Sequence, residues 1–268
     1  MIAIIYEGAK TEPSIFRNII NNFFDNKAME IPVGAAYGGN IHDLANALKN
    51  DLDLDIISVV KERIKNSNQV NKYSDFLSKS KDDFSEIYLF FDCDPHHMYK
   101  GNPNPMLCLE RNLTHISELL ELFDNETENG KLYINYPMAE ALKDIQQSNI
   151  CYHNCVEDIE NLTNYKSKIG KRARSFCDVR KYTYQDWGYF ARHAISKANC
   201  LVKGRYVIPE YEMLKLLSQS NIFDKQEEFI LQERKIYILS SFSLFLLEYF
   251  GKKCWAKDGL LNISNAED

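Results

Sequence analysis

The chain has 268 residues, of which 45% are hydrophobic and 26% are charged, and its formal net charge is −6. These values are ordinary for a globular protein and exclude a largely disordered chain, a collagen-like fibre and a disulfide-stapled miniprotein. An acidic chain is not expected to hold nucleic acid through its whole surface, so any such contact requires a local basic patch.

The first half of the chain alternates short apolar runs with amphipathic segments. The run Ile2 to Tyr6 predicts a strand buried on both faces, and Thr11 and Pro13 favour a helix start after it. Further strands are predicted at residues 31–36, 86–91 and 131–136, and helices at 11–23, 42–48, 56–64, 107–123 and 137–145. Strands that alternate with helices are typical of an α/β fold with a mostly parallel sheet flanked by helices.

The second half contains no convincing strand from about residue 151 onward. Helices are predicted at residues 157–167, 186–201, 209–217 and 225–250. We therefore expect an α/β domain at 1–150 and a mainly helical C-terminal region at 151–268, with no linker marking the boundary.

The longest apolar stretch, Ile236 to Phe250, is interrupted by serines and a glutamate. It is shorter than the roughly 20 apolar residues of a membrane span, so we expect a buried helix and no membrane contact. The N-terminus lacks the basic and apolar regions of a signal peptide, and the seven cysteines are then typical of reduced thiols. These features predict a cytoplasmic protein.

Acidic side chains follow two of the predicted strands. Glu7 comes directly after the first strand, and Asp92 and Asp94 follow the strand at 86–91. Ligands of open α/β sheets bind beyond the carboxyl ends of the strands, and residues two apart in extended chain point to the same side. Neighbouring carboxylates repel unless a cation lies between them, and oxygen ligands favour Mg²⁺ or Mn²⁺. A helix cap or turn is the alternative role for each residue taken alone.

These acids lie in two short motifs. Residues 4–12, Ile-Ile-Tyr-Glu-Gly-Ala-Lys-Thr-Glu, resemble the first motif of Toprim domains, an apolar strand that ends in Glu-Gly. Residues 90–94, Phe-Phe-Asp-Cys-Asp, resemble the second, a strand that ends in Asp-x-Asp. The form Glu-Gly-x-Lys-Thr-Glu-Pro is similar to the phage-defence branch, the RloB-like proteins and the Toprim nucleases of the OLD (overcoming lysogenization defect) group. The resemblance covers about residues 1–145.

The resemblance implies a Toprim-like catalytic domain and a divalent-metal-dependent endonuclease that cleaves phosphodiester bonds of DNA or RNA, with water as the nucleophile. It gives Glu7 the role of metal ligand or general base. Asp92 and Asp94 become ligands of Mg²⁺ or Mn²⁺. Glu140, which follows the strand at 131–136, resembles a glutamate at a similar place in RloB-like chains and would complete the catalytic site. An exposed acid in the first turn of a helix is its alternative role.

Two charged residues on the loop of the first motif, Lys10 and Glu12, could reach a phosphate, with solvated loop charges as the alternative. A second candidate is the segment 166–181, which holds seven basic residues against one acid, with aromatic residues interleaved. Such a segment suits a nucleic-acid channel or an acidic partner, and a solvated basic loop is the alternative. The candidate nucleic-acid-binding residues are Lys10, Lys166, Lys168, Lys171, Arg172 and Arg174.

OLD proteins usually carry an ABC-type ATPase ahead of the Toprim domain, whereas this sequence has no Gly-x-x-x-x-Gly-Lys-Ser/Thr loop. The resemblance to stand-alone Toprim effectors therefore implies an ATPase partner from another gene and a role in prokaryotic anti-phage defence, and it leaves a homodimer open. Two alternatives remain: a catalytically silent Toprim-like module that regulates an ATPase, and a phosphatase-type hydrolase with Asp92 as nucleophile, as in haloacid-dehalogenase-like folds.

Overall fold

The computed structural model of the protein describes residues 1–24, 29–50, 55–101, 104–145, 155–172 and 176–262. A five-stranded sheet lies at its centre. In chain order its strands are β1 (Ile2–Tyr6), β2 (Val33–Ala36), β3 (Glu86–Asp92), β4 (Asp124–Asn125) and β5 (Gly130–Asn135). The spatial order is β2-β1-β3-β5-β4, in which the first four strands are parallel and β4 is antiparallel to β5. The α/β class and the mostly parallel sheet predicted from the sequence are confirmed.

The central strands are buried because their residues are almost all apolar. Every residue of β1 is buried, and so are the five residues from Ile87 to Phe91 in β3. The edge strand β2 begins at Val33 rather than at Ile31, whose side chain remains 64% exposed. Parallel strands have this composition because helices cover both faces of their sheet.

Five helices connect these strands along the first half of the chain. They are α1 (Thr11–Phe23), α2 (Ile41–Asn50), α3 (Ile56–Lys65), α4 (Ser74–Ser78) and α5 (Pro105–Leu122). Side-chain caps fix two of the starts, because Asp55 accepts a hydrogen bond from an amide of α3 and Asn104 accepts from two amides of α5. The helix predicted at 137–145 is instead a short 3-10 helix, Ala139–Lys143.

The C-terminal region differs from the prediction first in that it contains a small antiparallel sheet. Its strands are β6 (Val156–Asp158) and β7 (Lys235–Tyr237). The prediction of no strand after residue 151 was therefore wrong. A single helix at 225–250 was also wrong, because Arg234 adopts a left-handed conformation (φ 57°) that ends one helix directly before β7.

Four helices make up most of the rest of this region. They are α6 (Tyr165–Arg172), α7 (Tyr184–Lys203), α8 (Gln219–Glu233) and α9 (Ser241–Phe250). The segments predicted as helices at 157–167 and 209–217 contain 3-10 turns, Ile159–Asn164 and Tyr211–Leu217. None of the helices within the described ranges is long and apolar enough to cross a membrane.

The buried helix α9 packs directly on the sheet through aromatic rings. The ring of Phe242 stacks on that of Phe90 in β3 with 5.3 Å between centroids, and Phe90 stacks on Tyr133 of β5 at 5.2 Å. Phe16 of α1 meets Phe90 edge to face at 4.6 Å. One apolar core therefore includes side chains from both predicted regions, and the division at residue 150 stays a prediction.

Candidate active site at the carboxyl edge of the sheet

The acids after β1 and β3 lie side by side because these two strands are neighbours in register. Tyr6 pairs with Phe90, so the two strands reach the same edge of the sheet together. The Glu7 amide donates to the carbonyl of Phe90 at 3.0 Å, and the Glu7 carboxylate accepts from the amide of Asp92 at 3.0 Å. The structure thus brings the first predicted acid into direct contact with the second motif.

Glu12 also belongs to this edge, because its side chain turns back over Gly8. The Gly8 amide donates to the Glu12 carboxylate at 3.1 Å, and Glu12 is only 6% exposed. A Cβ atom on residue 8 would lie 2.9 Å from a Glu12 oxygen, which is closer than real Cβ atoms approach a neighbour. A side chain at residue 8 would therefore displace the Glu12 carboxylate, and Glu12 is not the solvated loop charge that the sequence left as an alternative.

Burial raises the pKa of the carboxyl groups of Glu7, Asp92 and Asp94, and the charges of neighbouring acids add to the rise at Glu7 and Asp92. Burial raises the pKa of Glu7 to about 9, with a further contribution from the charge of Asp94. Burial is also the main reason that the pKa of Asp92 lies well above its usual range, followed by the charge of Glu7. Burial raises the pKa of Asp94, and the nearby His96 and His97 oppose that rise. We call Glu7, Glu12, Asp92, Asp94 and Glu140 the acidic cluster.

The turn that carries Asp94 does not continue the strand. β3 ends at Asp92, and Asp94 adopts a positive φ of 41°, which is uncommon for a residue other than glycine. The expectation that both aspartates point to one side of extended chain therefore fails at Asp94. His42 is fully buried, and its Nε2 lies 3.1 Å from the Asp94 carbonyl oxygen. Burial lowers the pKa of His42 to about 3, so the ring is neutral and its Nε2–H donates to that carbonyl.

Asn135 connects Asp92 to the C-terminal region, and the sequence reasoning gave it no role. Its amide nitrogen donates to a carboxylate oxygen of Asp92 at 3.4 Å. Its amide oxygen accepts from the backbone N–H and the hydroxyl of Ser241, each at 3.0 Å. Asn135 is the last residue of β5, so the strand-end rule that selected Glu7 could also have selected it.

Glu140 completes the cluster at the end of β5. It is 7% exposed, and its charge contributes to the raised pKa values of Glu12 and Asp92. Its carboxylate makes a 2.6 Å ion pair with the ammonium of Lys166. The alternative of an exposed first-turn acid therefore does not apply to Glu140, and one end of the basic segment lies at the cluster.

The other predicted basic residues have separate surroundings. Lys168 is paired with the buried carboxylate of Glu157 at 2.6 Å, whereas Lys171 and Lys10 are exposed. Arg174 and the side chain of Arg172 lie outside the described residues.

The interleaved aromatic residues are not free to stack on bases as the sequence suggested. Tyr165, Tyr182 and Trp187 are buried in the core, and only Tyr184 is substantially exposed, at 40%. Their spacing reflects the packing of α6 and α7, which places apolar rings inward between outward-facing charges.

The acidic cluster offers only oxygen donors, which suit a hard cation such as Mg²⁺ or Mn²⁺. Mutual repulsion of its carboxyl groups is a further reason for a cation to bind there. Within the described part of the chain, however, no group of three or more acidic, histidine or cysteine side chains is already arranged to hold a metal ion. The donor chemistry fits the ion, and binding requires the carboxyl groups to move closer together around it.

No family model, curated protein or solved structure matches the chain. The function therefore has to be argued from the site itself.

Proposed function

We propose that the protein is a nuclease that depends on Mg²⁺ or Mn²⁺ and uses the acidic cluster as its active site. The observation that carries the proposal is the 3.0 Å contact between the Glu7 carboxylate and the Asp92 amide. This contact joins two acidic motifs that lie 85 residues apart in the chain. Perturbed pKa values in a group of partly buried carboxyls are typical of functional sites.

Each residue of the cluster has a role that its surroundings support. A divalent ion held by Glu7, Asp92 and Asp94 would offset the charge of a phosphodiester and make water a better nucleophile. Asn135 orients Asp92 through their 3.4 Å hydrogen bond. Burial raises the pKa of Glu12, which is the direction required of a carboxyl that acts as a general acid toward the leaving oxygen.

Lys166 gives the cluster its one cationic contact within the described residues. Its side chain is 68% exposed, so it can leave Glu140 without losing buried contacts. A substrate phosphate placed beside the cluster would then have an ammonium partner.

A catalytically silent module is the second candidate, and two observations favour it. The Lys166 ammonium neutralises Glu140, and within the described ranges no set of ligands is prearranged for a metal. Such a module would bind its partners without cleaving nucleic acid.

The two candidates are separated by incubating the purified protein with single-stranded and duplex DNA and RNA in Mn²⁺, Mg²⁺ or EDTA. We expect cleavage in at least one metal, none in EDTA, and loss of cleavage in Asp92→Asn. Glu118→Gln is the matched control, since Glu118 forms a surface ion pair with Lys49 at 2.6 Å. A folded wild-type protein that cleaves none of these substrates would favour the silent module.

On the resemblance to stand-alone Toprim effectors we further propose that the nuclease acts in anti-phage defence in the cytoplasm together with an ATPase. Pull-down of the tagged protein from its native host tests this, and it should recover a protein with ATPase activity. Recovery of no ATPase would count against the partner.

A further inference from the structure

A cavity of about 600 Å³ lies at the carboxyl end of β2, one strand away from the strand that leads to Glu7, and no side chain of the acidic cluster lines it. The backbone joins the two sites, because Tyr37 donates to the carbonyl of Tyr6 at 2.8 Å and Gly38 donates to the carbonyl of Glu7 at 3.0 Å. Tyr37 and Gly38 both line the cavity. The cavity lies at the end of β2, and Glu7 directly follows β1. These two strands are neighbours, so they are about 4.8 Å apart.

The cavity has a cationic wall. The Arg63 guanidinium lies over the ring of Tyr37, 4.2 Å from its centroid. It also packs against Gly39, where a Cβ atom would come within 2.5 Å of an Arg63 nitrogen. The ion pairs within the described ranges include none with Arg63. A carboxylate oxygen of Asp43 lies 2.9 Å from the same Cβ position, but it forms no ion pair with Arg63 within the described ranges. A positioned guanidinium outside an ion pair suits a phosphate group.

The remaining walls combine apolar groups, hydrogen-bonding groups and one exposed acid, Glu62. Val59 and Ile64 contribute apolar surface, and Asn66, Ser67 and Gln69 contribute polar side chains. Amide side chains pair with the edges of nucleobases, and an arginine or aromatic plane can stack on a base. The volume falls in the usual range for small-molecule sites, so a base with its sugar and phosphate fits.

We infer that this cavity binds one unpaired nucleotide of the substrate strand, next to the phosphodiester held at the acidic cluster. Arg63 contacts its phosphate, and the amide side chains contact its base. A base can enter such a cavity only when it is out of a duplex stack, so the preferred substrate is single-stranded or locally unpaired nucleic acid. The inference rests on the proposed nuclease function for the identity of its ligand and extends it by naming the substrate class.

The test measures binding in EDTA, so that it does not depend on cleavage. Fluorescence anisotropy of a labelled single-stranded oligonucleotide is compared with that of the same sequence as a duplex. Two variants change the cavity in different ways: Arg63→Ala removes the cation, and Asn66→Trp fills the cavity from an exposed lining position. Arg111→Ala is the matched control, since Arg111 also lies over a tyrosine ring, that of Tyr99, at 4.1 Å.

We expect the single strand to bind at least about tenfold more tightly than the duplex, and each cavity variant to lose about tenfold in affinity while the control does not. Nucleoside 5′-monophosphates should compete with the strand, and inorganic phosphate at the same concentration should not. Equal binding of single strand and duplex, equal competition by phosphate, or wild-type affinity in both folded cavity variants would overturn the inference.

The experiments distinguish failure of the proposed nucleotide site from failure of the proposed nuclease function. If the protein cleaves nucleic acid but both cavity variants bind as the wild type does, the inference fails and the nuclease stands. If nothing is cleaved in any metal while the variants lose single-strand binding, the nuclease fails and the nucleotide site stands. Thermal unfolding of each variant verifies that it is folded.

Discussion

Replacing Glu7 by glutamine should make the protein less sensitive to pH. Glutamine has nearly the same shape, and its side-chain oxygen can still accept from the Asp92 amide at the 3.0 Å contact. It cannot ionise. Any difference in the pH dependence of unfolding between the two proteins therefore reports the charge of Glu7 rather than its packing.

The sign of the effect follows from the raised pKa of Glu7, which is about 9 in the folded protein, whereas an unperturbed glutamate carboxyl in the unfolded chain has a pKa of 4.5. Between these values the folded state holds a proton that the unfolded state releases, so the free energy of unfolding falls as pH rises through this window. At pH 8 the full shift corresponds to about 5 kcal/mol. Because the carboxyl is partly open to water, we expect a measured contribution of about 1–2 kcal/mol.

Urea denaturation in EDTA at about pH 5 and about pH 8 gives the required free energies. The wild type should lose about 1–2 kcal/mol more than Glu7→Gln between the two conditions. Asp92 and Asp94 have raised pKa values too, so the variant should keep part of the slope. Glu118→Gln, on the surface, should behave as the wild type. Equal slopes for the wild type and Glu7→Gln would refute the description of the cluster as mutually destabilising acids.

Four further changes test other parts of the structure. Mn²⁺ at a hundred times its dissociation constant should stabilise the wild type by about 2.7 kcal/mol and Asp92→Asn much less, measured by thermal unfolding; equal shifts would argue against a metal at this site. Asn135→Ala leaves two buried groups of Ser241 without their acceptor and should cost about 1–3 kcal/mol in urea denaturation, and an unchanged midpoint would contradict this. Phe90→Ala should cost about 3–5 kcal/mol, since the ring is fully buried between sheet and helix; a loss below about 1 kcal/mol would mean that α9 is not packed on it. Lys166→Gln should cost about 1–3 kcal/mol in urea denaturation, because it removes the cation that pairs with the buried Glu140 carboxylate, and an unchanged midpoint would show that Glu140 does not depend on this pair.

The parallel sheet could be predicted because its strands leave a local signal. β1 and β3 are continuous apolar runs that end at charged residues, a pattern that depends only on neighbouring positions. β7 leaves no such signal, since only Ile236 and Tyr237 of its three residues are apolar, they continue into a longer apolar stretch, and the strand pairs with β6 almost 80 residues earlier in the chain. The periodicity of either segment cannot predict pairing between residues so far apart in the chain.

The site was predictable to the same extent and for the same reason. The strand-end rule selects Glu7, Asp92 and Asp94 from the sequence, and Glu140 was predicted from its resemblance to a glutamate of RloB-like chains. The part played by Glu12 depends on how α1 turns its first residues back over Gly8, and the part played by Asn135 depends on a helix more than 100 residues away. The Gly8–Glu12 contact is local but depends on the exact turn between β1 and α1, and the contact of Asn135 with Ser241 depends on tertiary packing that the sequence pattern does not show.

The repulsion between the acids of the cluster explains why hydrogen bonds and packing support the segments that carry these acids. Ionised carboxyls at the edge of a buried sheet oppose folding, so the turn and strand ends that carry them need support from elsewhere. His42 holds the strained turn at Asp94, and Asn135 ties Asp92 to the first turn of α9. The aromatic stack of Phe90 and Phe242 then fixes α9 on the sheet below. A cation that binds the ionised carboxylates more strongly than their protonated forms would relieve this repulsion, so the same arrangement that costs stability at high pH is the one that would favour metal binding there.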